Sequence, residues 1–362
     1  MGDSKINNKY LTVLQGEIFS TIFCWMVGII GCSANAYVIY ATSKRLFSKL
    51  GNDMGRIHAL LIGNLAIADI CGGFYLIIIA IGDLHSRNQN SYHFENILCS
   101  NNSTCSPKIH NRWIFSVSCS VARFLGLFTL HLPAFLTLLM AIDRYFCIVK
   151  PYSTYQITLT KATIIVALLY VYALSIVILV MIRSENKLDP YETDSFFNLC
   201  LYTNFSDRLF IAVTYVGFGI YILSYCSSMI FYALIAASIR RSRRRFTTNA
   251  KPSLFRRINL EKRISLMTGI LALANLLSWL PALVYTILEL SNAPFTDTSI
   301  GDRLDIVVYL FLFINSAVNP IIYIIMTSQQ LIQYCSSANA RQDFRRSSKS
   351  NNQEAYAIPP YC

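Results

Sequence analysis

Asp143 and Arg144 stand side by side at the end of an apolar run long enough to cross a bilayer. Adjacent opposite charges can pair, and at a membrane-helix end they are tolerated where they pair or face water. Taken alone, Asp143-Arg144-Tyr145 reads as an interfacial anchor. Other residues far along the chain shift that weight. Asp69 falls inside a second apolar run, where a carboxylate is costly unless paired, protonated or hydrated. It must face the interior of a bundle, as a structural hydrogen-bonded acid or as a cation or proton site that responds to conformation. Asn315, Ser316 and Asn319 are its candidate partners, and Asn35 gains meaning through the same acid. Arg123 lies one turn beyond Cys119, and its guanidinium must snorkel outward, pair with an outer-loop acid or meet an anionic ligand group. His131 has no Cys or carboxylate at ligand spacing and reads as a hydrogen-bonded interior residue. No nucleophile stands with a base and no metal set appears, so the chain does not read as an enzyme.

The elements that position these residues follow from composition. Charged residues make up 14% of the chain and apolar residues 54%, against about a quarter charged in a soluble domain. Seven stretches are long and apolar enough to span: 18–43, 57–82, 113–142, 162–182, 209–239, 264–288 and 306–334. The reading is an all-α membrane protein, a seven-transmembrane-helix bundle with a short amphipathic helix along the inner surface over 329–335. Residues 1–17 form a polar extracellular amino terminus, 18–335 the transmembrane domain and 336–362 a disordered cytoplasmic tail. With the amino terminus outside, the inner connections and tail hold 21 Lys and Arg and the outer side 9. The net charge of +12 is thus mostly a topology signal, and its basic residues flank hydrophobic spans instead of forming a nucleic-acid surface. Gly2 does not open a myristoylation signal, since Ile6 stands where Ser or Thr is wanted, and no cleaved leader is visible.

The outer connections carry Asn101, Asn102 and Asn204 as glycosylation sequons, of which the overlapping first two should bear one glycan. Eleven cysteines do not fix a pairing from sequence. Those in spans or facing the cytoplasm are unsuited to disulfides, which leaves Cys119 with Cys200, and Cys99 with Cys105, as the economical pairs. Arg240-Arg241-Ser242-Arg243-Arg244-Arg245 anchors to anionic membrane lipid and offers a basic surface to a cytoplasmic partner. Pro281, after Ser278-Trp279-Leu280, kinks the sixth span and gives it a place to pivot. Pro320 frees a carbonyl in the seventh. Cys335 is a palmitoylation candidate, and the tail serines are phosphorylation candidates.

In their order along the chain these pieces resemble the rhodopsin-like G-protein-coupled receptors. Asn35, Asn64-Leu65-Ala66 with Asp69, Cys119 with Cys200, Asp143-Arg144-Tyr145, Trp279-Leu280-Pro281, and Asn319-Pro320 with Tyr323 fall one set per expected helix. The resemblance implies that Arg144 is held by Asp143 and by Glu261 at the foot of the sixth helix. Release of that pair lets the sixth helix swing out and admit a heterotrimeric G protein. Tyr232 and Tyr323 would turn inward to hold the open state, and Trp279 would be the toggle beneath the ligand pocket. Asp69, Asn315, Ser316 and Asn319 would hold a sodium ion that favours the inactive state; no other cofactor is implied. The tail would meet a receptor kinase and arrestin, and the plasma membrane would be its location.

This sequence departs from the family pattern at Ser224, Asn275 and Ala134, which alters the packing relay between pocket and cytoplasm. Pro133 stands where a serine commonly helps hold sodium. Gly126 occupies the position of the amine receptors' aspartate and Phe313 that of the opsins' lysine, so neither an amine nor retinal is the expected ligand. The pocket candidates are Arg123, Gly126, Trp279 and Phe313. The outer face bears 13 acids against 9 bases, a field that draws a cationic ligand, and a basic peptide is the leading reading. A lipid or carboxylate ligand on Arg123 is the alternative. A transporter, the rival from another class, would show repeated halves and broken helices around a midplane site, and no repeat is present.

Overall fold

A bilayer offers the backbone no hydrogen-bonding partner, so apolar runs of this length satisfy their own N–H and C=O groups as helices. The computed structural model describes residues 13–14, 17–48, 53–89, 92–94, 109–111, 113–151, 153–185, 199–201, 208–245, 252–290 and 299–328. Its long helices are α1 (Ile18–Leu46), α2 (Asp53–Gln89), α3 (Val117–Ile148), α4 (Leu159–Glu185), α5 (Arg208–Arg245) and α6 (Pro252–Leu290). The seventh, α7, starts as Ser299–Phe311, tightens into a 3-10 turn at Leu312–Ile314 and continues as helix over 315–328. All seven contain a membrane-crossing window, and the protein is a multi-pass membrane protein. The outward faces agree. Ile22, Ile29, Ile164, Leu168, Val171, Val216 and Leu223 are all more than half exposed, as side chains in contact with lipid should be.

One element was not expected. Tyr92–Phe94 pairs antiparallel with Ile109–Asn111, so the connection between α2 and α3 holds a small hairpin. A connection of this length gains from pairing its own backbone groups instead of leaving them to solvent. The long polar amino terminus also needs correction. Val13 and Leu14 are fully buried in the bundle, because adjacent apolar side chains are drawn from water.

The helix at the centre is α3, which packs on α2, α4, α5 and α6. Its start is capped by Ser116, whose Oγ accepts from the Cys119 N–H at 3.1 Å. Pro151 follows closely on its end. Pro133 interrupts its backbone ladder, and the Thr137 hydroxyl donates to the Pro133 and Ala134 carbonyls at 2.8 and 2.9 Å. Around α3 the core divides in two. One cluster, at the Cys119 end, contains Val13, Leu14, Tyr75, Leu201, Trp279 and Phe313. The other contains Leu65, Leu132, Leu136, Met140, Leu271 and Tyr323. Between them α2 meets both α3 and α7 at Gly72. A Cβ there would stand 2.3 Å from Ser316 Oγ and 2.8 Å from Thr129 Cγ2, so only glycine allows this approach.

Candidate functional site

At one end of the bundle Arg144 is withdrawn from solvent, 1% exposed, and held by its neighbour. Its Nε and one terminal nitrogen donate to Asp143 Oδ2 at 2.9 and 2.5 Å. A charge-assisted fork of this kind is among the stronger hydrogen-bonding arrangements. Tyr145 leans the other way, its ring 5.3 Å from that of Phe231 on α5. Tyr232 packs with Ala141, Ile235 and Ala272 between α3, α5 and α6, and Tyr323 is buried on α7. Glu261 lies within the α6 backbone span, but its side chain is outside the described residues, so the Arg144–Glu261 pair is not part of this geometry.

Deeper in, a chain of polar side chains links α2, α6 and α7. Asn319 Nδ2 donates to Asp69 Oδ2 at 2.9 Å and to Asn275 Oδ1 at 3.3 Å. Ser278 Oγ donates to the Asn275 carbonyl at 2.7 Å and accepts from Asn315 Nδ2 at 2.5 Å. Asn35 ties α1 to α7 through the Ser316 carbonyl at 2.7 Å. A void with room for about one water lies beside Asp69, lined by Asn35, Leu271, Asn319, Pro320 and Tyr323 among others. Asp69 Oδ1, Asn315 Oδ1, Ser316 Oγ and Asn319 Oδ1 are buried and make no hydrogen bond among the described residues. Buried oxygens of this kind are normally satisfied by something, such as a water or an ion.

At the opposite end Cys119 and Cys200 form a disulfide, which ties the α4–α5 connection to the start of α3. Cys200 adopts φ 56°, a left-handed conformation rare outside glycine, and the covalent tie holds it there. Leu199 and Leu201 flank it inside the bundle, and the Tyr75 hydroxyl donates to the Leu199 carbonyl at 2.8 Å.

The seven helices and the Cys119–Cys200 disulfide are thus as expected, and the charge pair and polar chain lie within the same bundle. The sequence profile of the family described as "7 transmembrane receptor (rhodopsin family)" matches residues 34–323. The chain belongs to this receptor family. It is similar to relaxin receptor 1 of Mus musculus, 24% identical over 337 residues, covering 90% of this chain and 38% of the relative. It is also similar to G-protein coupled receptor GRL101 of Lymnaea stagnalis, 24% identical over 346 residues, covering 92% of this chain and 27% of that protein. Growth hormone secretagogue receptor type 1 of Oryctolagus cuniculus is 26% identical over 201 residues, covering 52% of this chain and 53% of the relative. The receptor chain therefore spans well under half the length of the relaxin receptor and GRL101.

The four pocket candidates are all among the described residues. Arg123 is buried, so its guanidinium does not snorkel to solvent. Phe313 stacks on Tyr75 with ring centroids 4.2 Å apart. Trp279 meets the rings of Phe218, Tyr221 and Tyr225. A Cβ at Gly126 would lie 3.0 Å from the Tyr75 ring and 3.4 Å from Leu201, so these two side chains fill the space at that position. His131 accepts its interior role, its Nδ1 2.6 Å from the Leu127 carbonyl. Two of the acids counted toward the outer field do not belong to it. Asp83 is fully buried within α2 and Asp305 is buried within α7, because both helices extend past their apolar runs. Cys99, Cys105, Asn101, Asn102, Asn204 and Cys335, with the 329–335 helix and the 336–362 tail, lie outside the described residues.

Sequence reasoning missed Asn275 and Ser278 as members of the polar chain. Their spacing of three on one helix face was the available signal. The disulfide supplies a direct test of the other end. Cys200→Ser should lower surface delivery sharply and destabilise the receptor by about 2–5 kcal/mol, since it frees an 81-residue separation and unseats Leu199 and Leu201. Surface staining with a melting assay in detergent checks it, and wild-type values in both would count against a structural bond.

Proposed function

We propose that the receptor sits in the plasma membrane with its amino terminus outside, binds an extracellular ligand at the Cys119 end and activates a heterotrimeric G protein at the Arg144 end. The observation that carries this reading is the sealed Arg144–Asp143 pair at the foot of a helix touching α2, α4, α5 and α6. A guanidinium held this way is available to a partner only after the helices around it move. Outward movement of α6, pivoting near Pro281, would uncover it, and Tyr232 and Tyr323 are placed to turn into the space left. The basic run at the end of α5 would sit in the cytoplasm, as the excess of Lys and Arg on that side supports.

Ligand and switch are coupled only through unequal affinity for the two states. G-protein binding must then raise agonist affinity by the factor by which agonist raises G-protein affinity. A basic peptide remains the favoured ligand. Tyr75 and Leu201 occupy the space beside Gly126, and the acidic outer connections offer a surface for it to engage. The kinase and arrestin would act on the serine-rich tail.

A sodium ion is assigned to the middle of the bundle, where Asp69, Asn315, Ser316 and Asn319 would hold it. Asp69 offers one carboxylate oxygen without a donor, and Asn315, Ser316 and Asn319 offer neutral oxygens in the same condition. Pro133 contributes no side-chain oxygen. Bound there, sodium would supply a fixed positive charge beside the buried Asp69 carboxylate. The residues themselves bridge α2 and α7, and whatever tightens that bridge favours the closed state.

Basal and ligand-stimulated G-protein activation in transfected cells, screened across G-protein classes with a peptide-rich library, tests the reading. A response lost in Arg144→Ala supports it. A response that survives Arg144→Ala at equal surface expression overturns the assigned coupling site. Glu261→Ala should raise basal activity about 1.5- to 5-fold, the range of an ion pair worth about 0.2–1 kcal/mol. Unchanged basal activity would remove Glu261 from the lock.

A further inference from the structure

We propose that the outer ends of α1 and α2, closed by Asp83, form a docking site for the receptor's own amino-terminal segment, and that the seated segment favours the closed state. The inference rests on the orientation proposed above. Val13 and Leu14 are fully buried, although they precede the first span and belong to no helix. They share one cluster with Tyr75, Leu76, Ile79, Cys119, Leu201 and Trp279. The Leu14 backbone N–H donates to Asp83 Oδ1 at 2.9 Å. Asp83 Oδ2 accepts from the Thr21 hydroxyl at 3.2 Å, and the Glu17 N–H returns to the Leu14 carbonyl at 2.9 Å.

The chemistry suits a segment of chain. A fully buried carboxylate is costly unless it is given donors. A main-chain N–H supplies one whatever side chain accompanies it, and two adjacent apolar side chains fill the space beside it. The grip has a mechanical consequence. Asp83 and Asp69 lie on the same helix, about 21 Å apart at 1.5 Å per residue. Tension on the residues before Val13 therefore reaches α2, whose middle holds Asn319 of α7. Seating coexists with the sealed Arg144 in one conformer, and the segment is proposed to have higher affinity for this state, so that by linkage the closed end also favours seating.

Thiol labelling tests the docking without any signalling readout. Leu14→Cys keeps the backbone N–H, and in intact cells a membrane-impermeant maleimide would report whether position 14 is covered, with the parent chain as the thiol background. A hydrogen bond to a charged group is worth about tenfold to a hundredfold in an equilibrium. Labelling should therefore be at least about tenfold faster when Asp83→Ala is added, and intermediate with Thr21→Val, which keeps the carboxylate should Asp83→Ala fail to reach the surface. Equal labelling with and without these changes overturns the docking site. Leu14→Ser should raise basal G-protein activation several-fold over wild type; unchanged basal activity with position 14 uncovered overturns the regulatory half. If no variant activates any G protein, the coupling proposal fails while the labelling still decides the docking.

Discussion

Asp143→Asn should raise basal signalling at least about tenfold over wild type at equal surface expression. The side chains of Asp143 and Arg144 are 3% and 1% exposed, and their fork is a contact that neutralises the arginine in the closed state. Removing one member of a buried pair leaves an uncompensated charge, at a cost of about 3–5 kcal/mol. An open state that hydrates Arg144 escapes most of that cost. The penalty then falls on the closed state alone, and each 1.4 kcal/mol of it shifts the equilibrium about tenfold. Arg144→Ala should abolish coupling at a comparable cost in stability, because it leaves the Asp143 carboxylate buried without its guanidinium. The two adjacent substitutions are thus told apart by signalling and not by stability. Concentration-response curves for both, normalised to surface expression, check the expectation. Basal activity in Asp143→Asn at the wild-type level would show that the neighbouring carboxylate holds Arg144 equally in both states. Its effect should also exceed that of Glu261→Ala, because the Asp143 pair is dry.

What the sequence disclosed and what it hid divide along a physical line. The seven spans were legible because a bilayer forces apolar residues into continuous runs, and nothing else in the chain imitates them. Their ends were less legible. The α6 backbone begins at Pro252, well before the apolar run at 264, because helix propagates through Arg256, Arg257, Glu261 and Lys262 without needing apolar side chains. The same extension carried Asp83 and Asp305 from supposed loops into helices. Asp69 and Asn319 were legible as partners because a carboxylate in mid-bilayer needs a donor. Asn275 was not, since an asparagine on an apolar helix does not announce whether it faces lipid, a neighbour or its own backbone. Val13 and Leu14 were hidden for a related reason. A short apolar stretch such as Tyr10-Leu11-Thr12-Val13-Leu14 is too brief to carry a period, and only the folded bundle shows that Asp83 and the Tyr75 cluster receive Val13 and Leu14.

Asn275 also carries the most discriminating stability test. Asn275→Leu should leave thermal stability within about 1 kcal/mol of wild type, or raise it, while basal signalling rises several-fold. Asn275 Oδ1 accepts a long bond from Asn319, and Asn275 Nδ2 is buried with no partner among the described residues. An unsatisfied buried group costs about 1–3 kcal/mol, so an isosteric apolar side chain removes a penalty along with a weak bond. Stability is therefore nearly conserved. The switch is not, because the Asn275–Asn319 bond is one of the ties between α6 and α7, and α6 is the helix proposed to move. Asn319→Leu is the counterpart with the opposite stability outcome. It strips Asp69 of its side-chain donor, leaves that carboxylate buried without it, and should cost about 3 kcal/mol or more. A loss of coupling is expected with it, since Asn319 bridges all three helices of the chain. Melting curves in detergent beside basal signalling distinguish the two positions. If Asn275→Leu is as destabilising as Asn319→Leu, the polar chain is a structural unit with no weak link at α6. If it is neutral in both assays, the bond to Asn319 does not restrain the moving helix, and the restraint must come from Asn315 and Ser278, which join the same two helices one turn nearer the Cys119 end.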